Sequence, residues 1–195
     1  ANGESIRLAV EAGVNSIQHG GNLTEELMDL LIENDVGFVN TYTIGYQSVF
    51  NEWGFLDNEA GGIQAWTDRG RQVHERALAE NDRRSQRRTD RLGQLKRANE
   101  KGVHVGIGTD SMHGFMPLEM ENLVAAGFSP LQAIVAATGI NAQIVGIADE
   151  VGTIEVGKYA DIISIDGRPD ENVQDMEKVS FLMVGGRIQT NLSFR

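Results

Sequence analysis

Val103-His104-Val105-Gly106-Ile107-Gly108-Thr109-Asp110-Ser111 is a short run of Val, Ile and Gly that stops on a carboxylate. An Asp at the lip of an apolar strand is costly to bury alone, so it requires a metal, a cation or hydrogen-bond donors. Upstream, Val14-Asn15-Ser16-Ile17-Gln18-His19-Gly20 repeats the arrangement with a histidine. Two strands of one series, each ending in a potential metal ligand, predict an active site at the carboxyl ends of parallel strands closed into a barrel.

The flanking sequence supports a repeating unit. Glu11-Ala12-Gly13-Val14, Glu33-Asn34-Asp35-Val36 and Glu100-Lys101-Gly102-Val103 each read as a helix end turning into a strand, the mark of successive βα units. Glu4 to Ala12 has helical spacing of Ile6, Ala9 and Val10, with Gly13 as the stop. Asn22-Leu23-Thr24-Glu25 resembles a capping box ahead of a helix carrying Leu27, Leu30 and Leu31. The next strand is Val36 to Thr41. From Tyr42 to Gly70 the chain is aromatic and polar, either a lid or pocket wall or a decorated insertion. A helix then spans roughly Arg71 to Asn99, with Val73, Ala77, Leu92 and Leu95 available for packing.

Beyond Asp110, Pro117 to Ala126 is amphipathic, and Ser129-Pro130 places an N-cap before a proline at the first helical position. The period then changes to alternation. Gly152 to Gly157, Ala160 to Ile165 and Val179 to Val184 read as strands, with Gly185-Gly186 a hairpin turn into Arg187-Ile188-Gln189. The chain therefore divides into a βα part over 1–148 and a small β module over 149–195.

Composition narrows the chemistry. The 195 residues contain no cysteine, which excludes disulfides, thiolate metal sites and cysteine nucleophiles, so a metal must be held by His, Asp, Glu or a modified Lys. The net charge is −11, yet residues 69–101 hold eleven basic against five acidic residues, +6, leaving −17 elsewhere. No aromatic residues interleave with those arginines, so a solvated helix accounts for them better than a nucleic-acid surface. No apolar run approaches the ~20 residues of a membrane span. The expected setting is cytoplasmic, with a small-molecule or short-peptide substrate and no nucleic-acid or membrane partner.

The motifs together resemble the C-terminal half of the amidohydrolase superfamily, in the branch of imidazolonepropionases and Xaa-Pro or acyl-amino-acid peptidases. The resemblance is carried by Glu11-Ala12-Gly13-Val14-Asn15-Ser16-Ile17-Gln18-His19-Gly20, Gly108-Thr109-Asp110-Ser111, Ala136-Ala137-Thr138 with Asn141-Ala142, and Val151 to Asp161 followed by Gly185-Gly186-Arg187-Ile188. It implies an α/β fold: the sixth to eighth strands of a TIM-type (β/α)8 barrel over 1–148, followed by C-terminal strands of an appended β-sandwich over 149–195. It also implies one or two divalent metal ions, most commonly zinc, and a homo-oligomer.

The resemblance places His19 on the sixth-strand histidine ligand and Asp110 on the eighth-strand aspartate. Asp110 is then both metal ligand and general acid/base for metal-activated water that cleaves an amide, peptide or cyclic-amide C–N bond. The chain opens on Ala1-Asn2-Gly3, one residue past the expected fifth-strand histidine, and lacks the first-strand His-x-His and the strand-end lysine. It is expected to be a fragment that holds no catalytic metal tightly alone. The competing expectation is a half-barrel without catalysis that serves as an interaction or assembly module. His113 is a candidate for contacting a substrate carboxylate or carbonyl, or for bonding backbone; Tyr42 and Tyr46 either line the pocket or pack.

Overall fold

Three parallel strands organise the first two-thirds of the chain in a computed structural model, which describes residues 3–43, 68, 71–72, 75, 83–110 and 114–189. They are β1 (Ser16–Gln18), β2 (Gly37–Asn40) and β3 (Val105–Ile107), in the order β1-β2-β3. Ile17 lies opposite Phe38, Phe38 opposite Val105, and Asn40 opposite Ile107. All four β2 positions are buried, as expected of a strand covered on both faces.

The helices follow from the spacing of apolar residues and from their caps. Helix α1 (Gly3–Glu11) buries Ile6 and Val10, one turn apart on one face, and ends at Gly13 with φ of 83°. Helix α2 (Glu25–Glu33) is capped by Thr24, whose hydroxyl accepts from the Leu27 amide, and buries Leu27, Met28 and Leu31. The cap is therefore Thr24 alone; Asn22 instead adopts φ of 56° in the preceding loop. Helix α3 (Arg83–Lys101) seats Leu95 and Ala98 in the core. The expected helix from Arg71 is seen at positions 71, 72 and 75 and again from Arg83; Val73 and Ala77 lie outside the described residues, as does the Tyr42 to Gly70 stretch, expected as a lid, pocket wall or insertion, apart from Tyr42, Thr43 and Asp68.

After β3, α4 (Met116–Ala125) buries Leu118, Met120 and Leu123. Helix α5 (Pro130–Val135) opens on a complete capping box between Ser129 and Gln132. A π-turn (Ala136–Ile140) leads into α6 (Asn141–Val145). The Asn141 side chain then works as a short substitute strand. Its Oδ1 accepts from the Ile107 amide at 3.1 Å and its Nδ2 donates to the Ile107 carbonyl at 2.8 Å. This pairs the backbone that edge strand β3 presents away from β2. Gly106 is what allows the approach, since a Cβ there would stand 2.3 Å from Asn141 Oδ1.

The second sheet is antiparallel, β4 (Ile162–Ile165), β5 (Val179–Val184) and β6 (Arg187–Ile188). Gly185 and Gly186 turn the β5–β6 hairpin with φ of 53° and 75°, the positive pair a type I′ turn demands. Residues 152–157, expected as a strand, form turns instead. Gly152 and Gly157 take φ of 94° and 102°, and the Thr153 hydroxyl donates to Glu155 at 2.7 Å within a local turn. Alternating Ile154 and Val156 mimic a strand, but both are exposed. A 3₁₀ turn (Val173–Glu177) packs on α4. Arg71 bridges the two, donating to Glu121 at 2.6 Å and Glu177 at 2.5 Å; these hydrogen bonds hold its guanidinium still more firmly charged.

Asn141→Ala strips the Ile107 amide and carbonyl of their partners. Unfolding of the full-length protein in urea is expected to show a loss of about 1–3 kcal/mol, with little change in slope. An unchanged midpoint would show that water replaces the Asn141 amide at no cost.

Candidate functional site

His19 directly follows β1, Thr41 directly follows β2, and Asp110 lies three residues beyond β3. Because the strands are parallel and adjacent, their C-terminal ends converge on one edge of the sheet. The Nδ1 of His19 lies 2.6 Å from the Thr41 hydroxyl and 3.7 Å from Asp110 Oδ2. The first is a hydrogen bond. The second is an ion pair only when the imidazole is protonated.

Four non-glycine residues among those described have positive φ, and two are His19 (56°) and Asp110 (47°). The other two, Asn22 in the loop before α2 and Asp35 in the turn after it, belong to types that tolerate this region. A left-handed histidine at a strand end costs of order 1 kcal/mol. Both candidate ligands thus leave the strand alternation just where they meet, a feature that favours a functional site over core packing.

The donor set can be tested against a metal. An imidazole nitrogen and a carboxylate oxygen suit a zinc-type ion. With Nδ1 engaged by Thr41, Nε2 is the nitrogen available to a ligand, the division of labour common in metal-bound histidines. The side chains are 46% and 41% exposed, so both remain accessible. His19 and Asp110 therefore fit as two members of a larger set; among the described residues no group of three His, Asp or Glu could hold a metal ion.

The remaining predicted residues fall elsewhere. Tyr42 is 8% exposed, with the Arg91 guanidinium 5.2 Å from its ring centroid, a cation–π distance. Tyr46 and His113 lie outside the described residues. His104 leads into β3 at the opposite end from Asp110 and stands 3.6 Å from Asp35.

Two residues escaped the sequence reading. Thr41 sits at the same strand-end position as His19, one residue past an apolar strand, and that parallel was its available signal. Glu119, in the first turn of α4, is fully buried. Its Oε1 accepts from the Thr43 amide at 2.5 Å and the Thr43 hydroxyl at 2.8 Å, and its Oε2 accepts from Asn40 Nδ2 at 3.1 Å. Burial pushes its carboxyl up to about 7, against the opposing pull of the Thr43 hydrogen bonds and the Arg91 charge. Its spacing from Met116 and Leu123 placed it on the buried helical stripe, so periodicity could have found it.

A family model described as the amidohydrolase family matches residues 2–189. An ochratoxinase from Aspergillus niger is 26% identical over 192 residues, covering 94% of this chain and 35% of that protein. The crystal structure of a Xaa-Pro dipeptidase with bound methionine in the active site aligns at 30% identity with a TM-score of 0.69. That match covers 95% of this chain and 42% of the dipeptidase. The crystal structure of the A. niger ochratoxinase aligns with a TM-score of 0.69 at 24% identity, a likeness of fold. The chain thus spans well under half the length of these relatives.

The raised Glu119 carboxyl makes stability depend on pH in a defined direction. The folded protein holds this proton more tightly than the unfolded chain, whose carboxyl titrates near the ordinary 4.5. The contribution is full below about pH 4.5 and is lost as pH rises through about 7, by up to about 3 kcal/mol. Urea unfolding between pH 4.5 and 8 is expected to show this fall in the wild type and to lose it in Glu119→Gln. Identical pH profiles for the two proteins would contradict the assignment.

Proposed function

Since the chain belongs to the amidohydrolase family, we propose that it supplies the sixth- to eighth-strand part of a metal-dependent hydrolase that cleaves a C–N bond of an amide, peptide or cyclic amide. In this reading residues 1–148 are the end of a (β/α)8 barrel and residues 149–195 belong to an appended β domain. The observation that carries it is the meeting of His19, Thr41 and Asp110 at three adjacent strand ends.

His19 would hold a divalent metal, zinc in the first instance, through Nε2, and Asp110 through a carboxylate oxygen. The metal supplies the Lewis acidity that makes water a nucleophile near neutral pH. Thr41 sets the imidazole: when Nδ1 carries the proton and donates to the Thr41 oxygen, Nε2 keeps its lone pair. Asp110, partly exposed beside that ring, accepts the proton lost as the water oxygen bonds to the carbonyl carbon. It returns the proton to the nitrogen as the C–N bond breaks, so one carboxylate serves as base and then acid. Tyr46 and His113 are the proposed substrate contacts, while Tyr42, buried with Arg91 over its ring, takes the packing role that was its alternative.

A second reading, in which the chain acts only by completing a larger assembly, draws on the pair of candidate ligands among the described residues, where a catalytic zinc takes about three from protein. The two readings part on substitution. In the full-length protein Asp110→Asn is expected to keep the fold and lower turnover of Xaa-Pro dipeptides or N-acyl amino acids by ~10²–10⁴-fold. His19→Ala is expected to lower bound zinc, measured by elemental analysis. Wild-type turnover in Asp110→Asn, with wild-type metal content in His19→Ala, would favour the assembly role.

A further inference from the structure

We propose that Glu119 is a positioning residue for the strand-end site, holding the β2 terminus on both sides of Thr41 and thereby fixing the Thr41 hydroxyl against the His19 ring. The role of Glu119 goes beyond the ligand assignments above; only its effect on metal binding rests on them.

The arrangement has three parts. Asn40 is gripped from two directions: its carbonyl accepts from the Gly108 amide at 2.9 Å, and its side chain donates to Glu119 at 3.1 Å. Thr43 is gripped twice by one oxygen, through its amide and its hydroxyl. Tyr42, between them in the chain, is buried with Arg91 over its ring. Thr41 is thus flanked by fixed residues, and its hydroxyl has little freedom to leave Nδ1 of His19 at 2.6 Å.

Packing alone does not require a carboxylate here. Leu118, Met120 and Leu123 surround it on α4, and an apolar side chain of similar volume would fill the same space without desolvating a charge. What an apolar residue cannot do is accept one backbone and two side-chain hydrogen bonds from a segment that is leaving a sheet. Without an acceptor the Thr43 amide and both polar side chains are stranded in the interior, and the segment has reason to shift toward water, taking Thr41 with it.

The test reads the His19 ring by nitrogen NMR in the full-length protein. Thr41→Val defines the Nδ1 resonance of a ring that has lost its partner. Glu119→Ala is expected to move the His19 resonance toward that value. Glu119→Gln, which keeps an acceptor for Thr43 and can pair with a flipped Asn40 amide, is expected to restore it. His104, at the other end of β3, is expected to stay put in every variant. Zinc affinity is expected to fall about tenfold in Glu119→Ala and to recover in Glu119→Gln. If Glu119→Ala does not fold, Thr43→Val, which removes one donor only, is read in its place with the same expected shift. A folded Glu119→Ala or Thr43→Val whose His19 resonance matches the wild type overturns the proposal. His19→Ala provides the separate control: unchanged zinc affinity there would undo the ligand assignment, while the His19 resonance in the Glu119 variants still decides the positioning role.

Discussion

A strand buried on both faces has no place for a polar side chain except at its end. β2 is such a strand, and the site takes shape where it stops. Parallel pairing with β1 and β3 brings three strand termini to the same edge, so residues far apart in sequence become neighbours. Thr41 sits at the centre of that edge, with His19 and Asp110 delivered from either side. The polar chemistry therefore follows from the apolar packing beneath it.

That packing also raises a demand that side chains must meet. Backbone groups at the edge of a sheet require partners, and here one half-buried and one buried polar side chain provide them. The Asn141 amide closes the free side of β3, and the Glu119 carboxylate closes the end of β2. Each comes from a helix that follows β3 and folds back onto the sheet. The Asn141 hydrogen bonds thus bear on stability, and those of Glu119 bear on stability and on the proposed site geometry.

Much of this was legible in the sequence, and for identifiable reasons. The βα repeat was visible because helix ends and strand starts carry strong local chemistry, as in Gly13-Val14 and Gly102-Val103. Ser129-Pro130 announced a cap, and Gly185-Gly186 a hairpin, because backbone conformation there depends on the residues themselves. His19 and Asp110 stood out as potential ligands at strand ends. Thr41, Glu119 and Asn141 did not: strand-end position and helical spacing mark Thr41 and Glu119 as candidates, but the partners that give all three their roles lie on other elements and only tertiary contact reveals them. The turn at 152–157 misled for the opposite reason: Ile154 and Val156 alternate like a strand, but among the described residues no strand pairs with them. Alternation describes a surface pattern, while a strand needs a partner.

In the proposed site His19 and Asp110 are ligands of one metal ion, with Nδ1 of His19 held by Thr41. Anomalous diffraction from crystals of the full-length protein loaded with zinc tests it most directly. A zinc peak is expected about 2.0–2.2 Å from Nε2 of His19 and from a carboxylate oxygen of Asp110, with the Thr41 contact intact. A zinc ion bound in the protein but remote from both residues, or one that takes Nδ1 of His19 away from Thr41, would contradict it.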